Sequence, residues 1–109
     1  MRPKQIKVAS QSISILDCPD WAGDEEVQGT YDEDRSCIVL RKRLSPSSAR
    51  LALLHELIHS YVWLGGIRSD LRPDGNDKIE ERVCDVMSVL LLDTIRRNPA
   101  LIRYLTAKD

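Results

Sequence analysis

Apolar and polar residues alternate with period two over residues 5–8 and again over residues 12–16, the pattern of strands with one face buried. The polar Ser10-Gln11 between them predicts a turn, and with it an N-terminal hairpin. Residues 17–24 hold Pro19 and Gly23 and read as a loop. Residues 27–31 and 36–41 flank the polar Asp32-Glu33-Asp34 and predict a second hairpin. The front half of the chain therefore reads as a small antiparallel sheet.

The period changes at Ser45-Pro46. Serine suits the N-cap and proline the first helical position, and Ala49, Leu51, Ala52, Leu53 and Leu54 follow as helix formers. This helix should run to about Leu64, where Gly65-Gly66 ends it. Residues 68–76, with Pro73 and Gly75, read as a loop. Asp77-Lys78-Ile79-Glu80 has the spacing of a capping box, in which the Asp77 side chain takes a backbone N–H and Glu80 reaches back. A second helix follows over residues 78–97, Asn98-Pro99 breaks it, and residues 100–107 add a short last helix. The expected fold is α+β, with a small antiparallel sheet packed on two helices, in one domain spanning residues 1–109.

Composition narrows the function classes. With 42% apolar and 30% charged residues the chain has ordinary globular usage, and the absence of Phe makes the core aliphatic. A net charge of −1 supplies no global attraction to nucleic acid or an anionic membrane. Arg41-Lys42-Arg43 and Arg96-Arg97 read as solvated surface. The apolar runs fall far short of the ~18 residues a membrane span requires, and Ser14 and Asp17 interrupt the only stretch that could imitate a signal peptide. Three irregularly spaced cysteines do not form a disulfide framework, so a reducing, cytoplasmic location is expected.

The chemistry concentrates in two helical stretches. The only two histidines, His55 and His59, lie four apart on a predicted helix. They share one face about 6 Å apart along the axis, so both imidazoles can converge on one ion. Glu56 is rotated by ~100° from His55, which places its carboxylate to act on a water held by that ion, as a general base. A zinc ion with three protein ligands and one open position lowers the pKa of its water to about 7. Such a site needs a third ligand and a partner to orient a histidine. Glu81 and Asp85, one turn apart on the second helix, form a carboxylate stripe continued by Ser88 and Leu92, while Val83, Val86, Met87 and Leu90 form the opposite, apolar face. Glu80 is the rival ligand, but the capping box accounts for it. Cys84, one turn from Glu81, could in principle bind zinc, but a small buried side chain is the preferred reading.

These residues resemble the gluzincin metallopeptidases, in which two histidines of an H-E-x-x-H helix and a glutamate of a following helix hold zinc. The second element here is Glu81-Arg82-Val83-Cys84-Asp85. The short chain, the order of sheet and helices, and Leu53-Leu54-His55-Glu56-Leu57-Ile58-His59 look like the ImmA/IrrE-type peptidases, especially short phage and prophage members, from about Gly29 to Leu105. Ile58 stands where relatives often have Gly, and Asp85 where many have Asn. The resemblance implies His55, His59 and Glu81 as Zn2+ ligands, Glu56 as base, and Asp85 as partner of a ligating histidine. It also implies a protein or peptide substrate such as a repressor, and residues 36–41 as an edge strand that pairs with it. The alternative is a catalytically inactive, zinc-stapled protein-binding module. No third histidine exists to stabilise an oxyanion. Tyr31, Tyr104, Arg82 and Arg68 are the candidates, Tyr61 points away from the histidines, and Trp63 is expected to wall the cleft.

Overall fold

The computed structural model describes residues 2–18 and 27–108. Strands β1 (Gln5–Val8) and β2 (Gln11–Cys18) form the expected antiparallel hairpin. The two-residue turn between them holds Ala9 at a positive φ of 54°. Asp17 and Cys18, expected in a loop, extend β2, and residues 19–24 of that loop lie outside the described residues.

Strands β3 (Gly29–Asp32) and β4 (Cys37–Arg41) form the second hairpin. The sheet is nevertheless mixed and not antiparallel, because its order is β1-β2-β4-β3 and β4 runs parallel to β2. The chain passes to the outer edge as β3 and returns as β4 in the gap left beside β2. The sequence fits this place: Cys37-Ile38-Val39-Leu40 is a continuous apolar run, suited to an interior strand, and three of these four residues are buried. Strand β4 is therefore central, and the expected edge role of residues 36–41 passes to β3.

Helix α1 (Pro46–Leu64) starts on Ser45, whose hydroxyl accepts the Ser48 N–H. It ends in a Schellman motif, with the Ile67 N–H donating to the Val62 carbonyl and Gly66 at a φ of 71°, a conformation glycine adopts without a Cβ penalty. The segment expected as loop contains the short helix α2 (Arg68–Leu71) and a 3-10 turn at Pro73–Gly75. Helices α3 (Lys78–Arg97) and α4 (Pro99–Thr106) complete the order. The capping box does not form: Asp77 makes no side-chain cap bond, and the Asn76 side chain accepts the Lys78 N–H instead.

The layers are sheet, α1, α3. Ile13 and Ile15 of β2 and Ile38 and Leu40 of β4 project from one sheet face onto Ala52 and Leu57 of α1. The opposite side of α1 meets α3, so α1 is covered on both sides and α3 on one. Among the described residues no helix is long and apolar enough to cross a membrane.

Candidate metal centre

Helices α1 and α3 pack antiparallel, which brings His55 and His59 against the first two turns of α3. His55 Nε2 lies 3.0 Å from Glu81 Oε2, and His59 Nε2 lies 2.9 Å from Glu81 Oε1. The two Nε2 atoms are 3.1 Å apart. Three ligand atoms on a tetrahedron of ~2.1 Å radius would be about 3.4 Å apart, so this trio needs only a few tenths of an ångström of expansion to hold a cation.

The outer nitrogens define the tautomers. His55 Nδ1 faces Asp85 Oδ1 at 3.0 Å, and His59 Nδ1 bonds Glu80 Oε2. An ionised carboxylate only accepts hydrogen bonds, so with a cation held between the Nε2 atoms and Glu81 each Nδ1 would carry the proton and each Nε2 present a lone pair. Two imidazole nitrogens and the Glu81 carboxylate thus converge on one point, and the composition of this set fits a divalent ion.

The structure thus brings His55, His59, Glu81 and Asp85 together. Glu80, expected as a helix cap, joins them through His59. Its side chain is fully buried, not used as a cap, and Arg72 grips it with Nε on Oε1 at 2.8 Å and Nη2 on Oε2 at 2.9 Å. Burial pushes the Glu80 carboxyl up, but the bonds from Arg72 and His59 outweigh it and hold the group below the usual carboxylate range. An Arg72–Glu80–His59 chain therefore backs the second histidine as Asp85 backs the first. Glu80 was detectable, since it shares with Cys84 and Ser88 the face of α3 that is buried. Arg72 carries no such signal, because only the turn after α2 delivers it.

Glu56 is 7% exposed, with its carboxylate 3.8 Å from His55 Nε2. The Tyr31 backbone N–H donates to it. Gly29 allows this approach: a Cβ there would meet Leu40 Cδ2 at 3.0 Å, Glu56 Cγ at 3.2 Å and the Val39 carbonyl at 3.3 Å. Burial, reinforced by the charges of Glu81 and Asp85, pushes the Glu56 carboxyl up to about 7 in the metal-free protein, against the opposing influence of His55.

Cys84 is fully buried, and its ligand atom forms with His55 and His59 a cluster within 4.8 Å. These three side chains constitute a potential metal site of their own. Burial among carboxylates pushes the Cys84 thiol up to about 12.

The centre opens into a cleft of about 880 Å³ walled by β3, α1 and α3, within the range of ligand-binding cavities. Tyr31 and Arg68 line it; Arg82 and Tyr104 do not. Trp63 does not line it either, contrary to expectation. It lies one turn beyond His59, and its ring stacks under the Arg68 guanidinium, 4.4 Å from the centroid. Arg68 is further fixed by Glu33 at 2.9 Å. Tyr61 is exposed.

The Asp85 side chain is 71% exposed, so its value lies in orienting His55 and not in burying charge. Asp85→Ala is expected to weaken metal binding by about 10- to 100-fold, and Asp85→Asn, which keeps an acceptor oxygen, by less. Competition titration against a metal-binding dye measures both; equal affinity in Asp85→Ala and parent would remove Asp85 from the site.

No protein-family model, curated protein or solved structure matches the chain.

Proposed function

We propose that the chain is a zinc-dependent metallopeptidase, with His55, His59 and Glu81 as ligands and Glu56 as general base. The observation that carries this reading is a three-donor cluster with a buried carboxylate beside it at the floor of an open cleft. When bound, zinc lowers the pKa of a water to about 7 and polarises the carbonyl it meets. Glu56 takes a proton from the attacking water and passes it to the departing amine. A cation nearby favours its ionised form at neutral pH, although burial alone opposes that form. Asp85 and Glu80 hold the imidazoles with Nε2 inward.

The edge strand β3 supplies the peptide dimension. Its residues Gly29, Thr30 and Tyr31, with Val27 and Gln28 just before it, line the cleft, so an extended substrate can pair along this edge and pass over the metal centre. The substrate class is a peptide or protein segment in extended form, and the resemblance points to a regulatory protein such as a repressor.

Cys84 favours one second reading, a closed structural site in which its sulfur is a fourth ligand. Zinc titration separates the two. The open site predicts one zinc per chain in the parent, a large loss of affinity in Glu81→Ala, and unchanged affinity in Cys84→Ser. Loss of zinc affinity in Cys84→Ser as well as in Glu81→Ala would establish the structural alternative. The zinc-loaded parent should also cleave unstructured protein or a repressor partner, stop with chelator, and resume on zinc addition; failure on both substrate classes would defeat the peptidase reading.

A further inference from the structure

The outer face of α3 carries Ile79, Val83, Val86 and Leu90, spaced four, three and four residues apart, the d and a spacing of a helical seam. Ile79, Val86, Leu90 and the adjacent Met87 are 47–58% exposed. At ~100° per residue this seam lies roughly opposite Glu81 and Asp85, on the side of α3 turned away from α1. With ~200 Å² for a large side chain fully exposed, these four present on the order of 400 Å². That is close to the apolar share, about 57%, of the ~800 Å² each partner contributes to a standard interface.

The order of residues identifies the occupant. Consider two copies of α3 antiparallel, with the axis between Cys84 and Asp85. Ile79 then meets the partner's Leu90, and Val83 meets the partner's Val86, larger against larger and smaller against smaller. The same contacts recur across the axis, as an isologous interface requires. Antiparallel pairing also opposes the two helix dipoles. We propose that a second copy of this chain docks on this face, forming a two-fold antiparallel helix pair that leaves both clefts open.

Sedimentation velocity of the full chain over the micromolar range tests this. The parent should have the mass of two chains. Leu90→Glu and Ile79→Lys should each weaken association by at least about 100-fold, because each sets a charge against an apolar partner. Both sites are exposed, so circular dichroism and zinc content should match the parent. The double variant Ile79→Lys/Leu90→Glu opposes cation to anion at both contacts and should restore the dimer, whereas parallel pairing would oppose like charges. A parent at the mass of one chain would overturn the proposal and leave the face to a partner of different sequence. A dimer indifferent to Leu90→Glu, or a double variant that stays monomeric, would overturn it too.

Discussion

Glu56→Gln is expected to lower kcat for peptide hydrolysis by about 10² to 10⁴, the usual loss for a general base, while zinc content holds. The amide keeps the shape of the side chain and can still accept the Tyr31 N–H, but it cannot take a proton from water. Because the lost interaction belongs to the transition state, the effect should fall on kcat and leave KM nearly unchanged. The same substitution has a second readout in metal-free protein. The Glu56 carboxyl is pushed up to about 7 by burial, above the ~4.3 of an unfolded chain. The folded state therefore binds the extra proton between these values, and the stability it contributes is present below about pH 4 and lost as pH rises through 7. That loss is worth about 4 kcal/mol. Glu56→Gln has no such titration, so metal-free variant and parent should diverge in urea melts between pH 5 and pH 8, with the variant the more stable at pH 8. Hydrolysis within a few-fold of the parent, measured with full zinc content, would sink the general-base assignment.

What could be read before folding was local. The His55, Glu56, His59 spacing and the Glu81, Asp85 spacing are properties of single helices, and 3.6-residue periodicity is enough to put each pair on one face. The caps of α1 were legible for the same reason. What depended on long-range placement was not. The parallel pairing of β2 with β4 arises because β3 occupies the edge, a choice among strand orders that alternation alone does not encode. The contact between Gly29 and Glu56 spans the sheet and α1, and nothing near Gly29 in the chain announces it.

Glu80 failed for a more instructive reason. The Asp77-to-Glu80 spacing satisfied a local rule, and the local rule lost to a tertiary one. A carboxylate at that position can cap its own helix for about 1 kcal/mol, or it can accept from a histidine and an arginine across the α1–α3 interface, where charge-assisted bonds are individually stronger. The helix keeps an N-terminal contact from Asn76, so releasing Glu80 to the interior costs it little.

Arg72→Met should accordingly be among the most destabilising single changes outside the core. Arg72 is partly exposed but Glu80 is fully buried, so the two ends of this ion pair are unequal. Removing Arg72 leaves a buried carboxylate with His59 as its remaining partner, and breaking a buried pair from one side costs about 3–5 kcal/mol. Glu80→Gln is milder. Water can reach the released guanidinium, and the Gln oxygen still accepts from His59 Nδ1. The double variant Arg72→Met/Glu80→Gln removes both charges and should recover at least half of the stability lost in Arg72→Met alone. Metal binding should follow the same order. Without Arg72 the buried Glu80 tends to take up a proton, becomes a donor toward His59 Nδ1, and drives the imidazole proton onto Nε2, the atom aimed at the metal. Zinc affinity should therefore fall in Arg72→Met and return in the double variant, although the double variant carries no more charge on that side than before. Chemical denaturation of the metal-free proteins at pH 7, paired with zinc titration, measures both. A cost under about 1 kcal/mol for Arg72→Met, or a double variant worse than the single one, would show that Arg72 does not maintain the Glu80 charge and that His59 is held by other means.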